Sequence, residues 1–420
     1  MFDLTFARDN AAGALAQRVA VTGLGVISCI GSGRQSFWER LIAGHCGISS
    51  VTAFDTSEFP VHQGAEVRDF QPSEYLLKTR PSDIGRASQF AISASRLALQ
   101  DAGISVDEID PESSGIVVGT TSGEPRVIEQ FDDQFLEGRH EAAGRGFIYR
   151  YPCNVLAANV ARELGFAGEV LTIPTACAAG NHAIAHAFDA LRFGRAQLML
   201  AGGADSFSRI TYAGFARLGA ISPGLCQPFD LNRKGMVPGE GAGFLVLETI
   251  EHALERCAPV YAEIKGYGLT CDAHHMTAAD PQGRGAARAM EIAMESAMLR
   301  PADIDYICAH GTGTPTNDRL ETIAIKRVFG ERSGCIPVSS IKSMLGHAMG
   351  AASAIEAIAC VLAINGDCIP PTINLHTADP ECDLDFVPLV ARKCRVNVVL
   401  NNAYAFGGNN SSVAFARYEA

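Results

Sequence analysis

The chain has 420 residues, 47% apolar and 19% charged, enough to bury the core of two domains or of one large double unit. Its 34 basic and 46 acidic residues give a net charge of −12, which excludes general binding to nucleic acid or to anionic membranes and leaves any acidic partner to a local basic patch. The 13 cysteines are scattered singly with no C-x-x-C pair, so neither zinc nor a dithiol centre is indicated and a reducing cytoplasm is the expected location.

Residues 1–17 carry Asp3 and Asp9 and no continuous apolar core, and they read as a loose leader rather than a signal peptide. The run 18–25 predicts a strand ending in a Gly turn. Ser28 stands where the third Gly of a dinucleotide fingerprint would follow Gly23 and Gly25, which argues against nucleotide binding. Over 83–102, Ile84, Ala87, Phe90, Ala91, Ala94, Leu97 and Ala98 share one side, which predicts an amphipathic helix stopped by Gly103. Strands are expected at 115–119 and 168–174, and a helix over 181–193. The longest apolar helix candidate, 351–364, is short and contains Glu356, so no span across a membrane is expected.

The second half replays the first. Val19 to Gly25 is echoed by Ala262 to Gly268, and Gly115 to Thr120 by Tyr306 to Thr312. The turn at Cys177 with its helix corresponds to Ser343 to Ala352 and the helix beyond, and the strand pair at 197–202 and 241–247 corresponds to 396–405 and 412–416. Strands alternating with helices twice over predict two α/β halves, 18–260 and 261–420, each with its own sheet, with helices between and outside the sheets.

Thr175-Ala176-Cys177-Ala178-Ala179-Gly180 lies at a strand-to-helix turn. A sulfur there faces the positive end of a helix, so a lowered thiol pKa and a nucleophilic role are expected for Cys177. His310 ends a strand on a Gly and Thr loop, and Lys342 and His347 flank a second Gly turn. Phe406-Gly407-Gly408 forms a third, able to offer backbone N–H groups to an oxyanion. Duplication should bring Cys177 of the first half to His310 and His347 of the second.

These motifs, together with Phe229-Asp230 and Gly239-Glu240-Gly241-Ala242-Gly243, resemble the β-ketoacyl-acyl-carrier-protein synthases of the thiolase superfamily, most closely the elongating type II enzymes. The resemblance runs from Arg18 to Arg417 and implies a duplicated, five-layered αβαβα fold. It implies a cytoplasmic enzyme in which Cys177 carries an acyl chain as a thioester and condenses it, with decarboxylation, onto malonyl-carrier protein. His310 and His347 would hold the enolate, and Lys342 would pair with Glu321. Thr312 and Thr314 would bind the pantetheine arm, with Phe215 and Thr277 also touching substrate. Phe406 would act as a gate on the hinge Gly407 and Gly408. No cofactor is implied beyond the carrier's phosphopantetheine. The implied partners are acyl carrier protein, docking on Arg68, Lys78, Arg80, Arg145 and Arg217, and a second ketosynthase-like subunit, identical or related.

Three departures stand out. Cys308 replaces the family's usual Asn, so of the structural cation site that relatives build with Glu356 and the region of Asn401 only a vestige is expected. Tyr404-Ala405 replaces Phe-Gly before the gate, with Asn409 after it. Tyr149-Arg150-Tyr151-Pro152-Cys153 is bulkier than usual, which opens a specialised role on unsaturated, aromatic or polyketide chains alongside a chain-length partner. A thiolase would need a second cysteine near the C-terminus, and none follows Cys394. A non-catalytic chain-length partner would lack the nucleophile.

Overall fold

The computed structural model describes residues 17–139 and 146–419, so the leader up to residue 16 and Arg145 lie outside the described residues. Among the described residues the main sheet has eleven strands, one of them the two-residue Gly31–Ser32 that only flanks the first; the other ten are β1 (Val19–Ser28), β2 (Ser114–Gly119), β3 (Val170–Ile173), β4 (Leu198–Asp205), β5 (Gly241–Thr249), β6 (Ala262–Cys271), β7 (Tyr306–Cys308), β8 (Val338–Ser339), β9 (Val398–Tyr404) and β10 (Asn409–Ala416). They lie side by side as β8-β7-β9-β10-β6-β1-β5-β4-β2-β3. Outward from the joint, each half runs first, fifth, fourth, second, third in its own strand order. Directions repeat too: β2 is parallel to β3 and β4 as β7 is to β8 and β9, while β5 and β10 run antiparallel to both neighbours. The duplication is therefore topological. The two halves are not separate sheets as expected, because Val19 to Val21 pair antiparallel with Ala262 to Ile264 and join them.

Eight helices matter for the site: α1 (Arg86–Asp101), α2 (Pro125–Leu136), α3 (Val155–Leu164), α4 (Ala179–Arg192), α5 (Arg209–Arg217), α6 (Arg284–Ala297), α7 (Pro315–Phe329) and α8 (Ala352–Gly366). Helices α4 and α8 pack on each other and on strands of both halves, α1 and α3 cover the first half from outside, and α6 covers the second with α7 against it. These are five layers of a thiolase-like α/β fold. Every residue of α8 from Ala352 to Ile364 is buried, as a helix with sheet on both sides requires. The apolar run Met349–Gly366 is long enough to cross a membrane, but it is 89% buried inside the protein and serves as core.

The crossing of α4 and α8 depends on Gly180. A Cβ there would stand 2.6 Å from Ala354 N and 2.8 Å from Ser353 Oγ, closer than packed atoms approach. The same contact is tied by the Asn181 N–H, which donates to Ser353 Oγ at 3.0 Å. The two pseudo-equivalent helices thus start beside each other and bring the turns before them together.

Candidate active site

Cys177 sits in a single helical turn, Ala176–Ala178, between β3 and α4. Ala176 carries φ +50°, a left-handed conformation that costs an L residue energy and is held here by its surroundings. On the second half, His310 follows β7 by two residues. Its N–H and that of Gly311 each donate to a Glu321 carboxylate oxygen at 2.8 Å, and Ser340 Oγ donates to Gly311 O at 2.6 Å. His347 precedes α8 and is fixed by backbone pairing: its N–H donates to Val237 O at 2.7 Å, and its carbonyl accepts from Gly239 N at 2.8 Å.

The three side chains converge. The Cys177 sulfur and one ring nitrogen from each histidine all lie within 4.8 Å of one another, and the imidazole rings stand 5.4 Å apart at 82°. The other nitrogens are engaged. Lys342 Nζ lies 3.4 Å from His310 Nδ1, and the Met349 N–H donates to His347 Nδ1 at 3.2 Å. An ammonium and an amide can only donate, so both Nδ1 atoms accept and both Nε2 atoms carry the proton. Burial, then the charge of Lys342, hold both histidines well below the usual imidazole range, with His347 adding to the effect on His310. Two neutral N–H donors therefore flank the sulfur.

These groups line a cavity of about 390 Å³. Thr312, Thr314, Thr277 and Phe215 line it as well, with Phe406, Gly407 and Gly408 at the hairpin between β9 and β10. Phe406 is 40% exposed, and its ring lies 5.8 Å from that of Phe215. Gly407 and Gly408 have φ of +81° and +78°, so the hairpin needs glycine at both. The Gly407 N–H donates to Met276 O at 2.8 Å, which latches this hairpin to a neighbouring loop.

Two expectations are corrected. Lys342 pairs with Glu356, not Glu321, because both oxygens of Glu321 are already used by the N–H groups of His310 and Gly311. Burial pushes the Cys177 thiol up to about 12 against the pull of Lys342, so the resting group is a thiol and not the low-pKa thiolate expected from the helix entry. At the vestigial cation site the positive charge beside Glu356 is the Lys342 ammonium, and Asn401 spends its amide N–H groups on Asn181 Oδ1 and Ser353 O. Glu356 Oε2 and Asn401 Oδ1 are nonetheless buried without a hydrogen-bond partner among the described residues, so two acceptor oxygens stay open beside the buried thiol of Cys308.

The basic residues fall outside the cavity. Arg68 is drawn to Glu66 and Arg80 to Asp83, whereas Lys78 and Arg217 are exposed and form no ion pair among the described residues. Arg217 belongs to α5, which also supplies Phe215. Buried Tyr404, singled out above as a departure before the gate, lines the cavity, and two further residues, Lys234 and Asp205, had no place in the sequence reading; exposed Lys234 lines the cavity too. Asp205 at the end of β4 accepts from Thr120 Oγ1 and from the N–H groups of Thr121, Ser122 and Gly350, which pins the loops around the site. A carboxylate closing an apolar strand was the signal for Asp205; a lysine among turn residues gave none.

Comparison with known proteins agrees with this geometry. The model of the beta-ketoacyl synthase N-terminal domain matches residues 16–253, and that of the C-terminal domain matches residues 261–376. The chain is 42% identical to the 3-oxoacyl-[acyl-carrier-protein] synthase 2 of Synechocystis over 410 residues, 96% of this chain and 99% of the relative. The Coxiella burnetii protein of the same name is 40% identical over the same shares. Among solved structures, the ishigamide ketosynthase/chain length factor superposes with TM-score 0.93 at 43% identity, covering 96% of this chain and all of that one. A type II PKS acyl-carrier protein in complex with its ketosynthase bound to the hexaketide gives TM-score 0.89 at 33% identity with the same coverage. Matched along both halves, with a cysteine of the first meeting two histidines of the second, the chain belongs to the beta-ketoacyl synthase family.

Proposed function

We propose that the chain condenses an acyl chain with a malonyl unit, both delivered on the phosphopantetheine of acyl carrier protein, and releases a 3-oxoacyl chain two carbons longer. The observation that carries this reading is the meeting of Cys177, His310 and His347 within 4.8 Å inside a lined cavity. In the first step Cys177 attacks the acyl thioester. One thiol replaces another, so the proton lost by Cys177 ends on the departing pantetheine sulfur and no net base is consumed. The backbone N–H groups of Cys177 and Phe406 hold the oxyanion of this step.

In the second step the malonyl thioester oxygen faces the Nε2–H groups of His310 and His347. The bond to the carboxylate breaks, CO2 leaves, and the electron pair forms an enolate that attacks the Cys177 thioester carbon. Cys177 departs as a thiolate and takes one proton from solvent, the proton that loss of the carboxylate as CO2 leaves the reaction to consume. A donor placed where such charge develops is worth about 3 to 4 kcal/mol of barrier in other enzymes. Lys342 and Glu356 hold His310 in the required tautomer, and Thr312 and Thr314 bond the pantetheine amides. Phe406 swings on Gly407 and Gly408 to admit the acyl chain. The steps need no group beyond the carried thioesters, and the 13 free cysteines suit a cytoplasmic location.

For docking of the acidic carrier, the unpaired Arg217 and Lys234 are favoured over Arg68 and Arg80, whose charges are already matched. The second subunit, a copy or a related chain, would cover β3, the outer strand of the sheet, where Val170 is exposed, together with Ile148, Tyr149 and Tyr151. A second reading is a ketosynthase of polyketide or polyene elongation working with a chain length factor. The likeness to the ishigamide ketosynthase/chain length factor favours it. Incubation with a panel of acyl-carrier thioesters, followed by weighing of the intact chain, tests both. Preference for saturated chains supports the fatty-acid reading, and preference for conjugated or polyketide chains supports the second.

A further inference from the structure

Tyr404 ends β9, two residues before Phe406, and is 91% removed from solvent, its relative exposure being 9%. It lines the same cavity as Cys177 and the two histidines. Its ring meets the His310 imidazole at 5.8 Å and 67°. Its hydroxyl is buried and has no hydrogen-bond partner among the described residues. Buried hydroxyls are almost always satisfied, because stripping water from one without replacing the bond is costly and phenylalanine would fill the space without that cost. A phenol left open inside a reaction cavity therefore points to a substrate atom.

The chemistry proposed above leaves one polar atom group without a donor. The acyl thioester oxygen has backbone N–H groups, and the malonyl thioester oxygen has the two Nε2–H groups. The Lys342 ammonium is committed to Glu356 and His310. What remains is the carboxylate of the extender unit, which must be held until its bond breaks. We propose that the Tyr404 hydroxyl donates a hydrogen bond to the carboxylate of the malonyl unit, positioning it beside His310 for loss as CO2. Burial above all keeps the phenol protonated and therefore a donor. The bond is spent as CO2 forms, since the neutral product accepts weakly, so the role is positioning of the extender and not stabilisation of the enolate. Lys234 lines the cavity too, but it is exposed to water, whereas Tyr404 is buried against the His310 ring.

This inference rests on the malonyl condensation proposed above, and the two fail differently. The test compares the wild-type chain with Tyr404→Phe in three measurements: the rate of Cys177 acylation from acyl-carrier protein, kcat/KM for malonyl-carrier protein, and Tm. The expected result is acylation unchanged, kcat/KM for malonyl-carrier protein lower by roughly tenfold to a hundredfold, as for a lost hydrogen bond to a charged group, and Tm unchanged or higher. Equal losses in both half-reactions, an unchanged kcat/KM for malonyl-carrier protein, or a lowered Tm accounting for the loss would overturn it. A wild-type chain that releases no CO2 from malonyl-carrier protein would instead overturn the proposed function itself.

Discussion

A lysine ammonium beside an imidazole decides which way that imidazole can act. Lys342 at 3.4 Å from His310 Nδ1 keeps the ring uncharged and its Nε2–H turned to the sulfur, and Met349 does the same for His347 through its backbone. Removal of one donor should separate the half-reactions. His310→Ala is expected to keep acyl transfer to Cys177, read by intact mass, while condensation falls about 100- to 1000-fold; loss of the adduct with condensation intact contradicts the assignment. Unfolded histidines take up protons as pH drops through 6.5 and the folded ones do not, so they weaken the fold below 6.5. Glu321 acts oppositely: burial raises it from 4.5 to about 8, so the folded form keeps a proton that the unfolded chain releases, and stability is lost as pH rises between those values. Glu321→Gln should therefore gain Tm relative to wild type as pH rises over that window, and a difference independent of pH would contradict this. Cys177, His310 and His347 were legible because each sits at a strand end or Gly turn. The partner of Lys342 was not, since nothing in the sequence tells which carboxylate is already saturated by backbone N–H groups.

Helices α4 and α8 carry the convergence, and their crossing has no spare room. Gly180→Leu would drive a side chain into Ala354 and Ser353, and a cost of at least about 1 to 3 kcal/mol is expected, read as a lower urea midpoint. An unchanged midpoint would mean that the helices are not in tight contact there. Lys342 ties its own turn to α8 through Glu356, both fully buried. Lys342→Ala leaves that carboxylate unpaired and should cost about 3 to 5 kcal/mol, partly restored by Lys342→Ala with Glu356→Gln; failure of the second change to restore any stability would contradict the pairing. Most elements could be read from periodicity and Gly stops, within a few residues: the helix expected over 83–102 occupies Arg86–Asp101. The strand before Lys342 is only Val338–Ser339, because Gly330–Cys335 turns helically in front of it.

At the scale of the whole molecule, the sequence repeat anticipated the repeated strand order, while the joint between the halves escaped it. Only Val19 to Val21 and Ala262 to Ile264 make that joint, too short a contact to leave a pattern of its own. The outer strand β3 is the opposite case, an edge whose exposed Val170 asks for a cover. Val170→Asp is expected to shift the assembled protein to single chains by light scattering, and an unchanged mass would place the partner elsewhere. The proposed chemistry as a whole is tested most directly by the mass of the intact chain, followed through one cycle with acyl-carrier protein and then malonyl-carrier protein. A gain of one acyl group that is absent in Cys177→Ala is expected, then return to the starting mass with release of a 3-oxoacyl chain two carbons longer. No gain in the wild-type chain, or the same gain in Cys177→Ala, would contradict it.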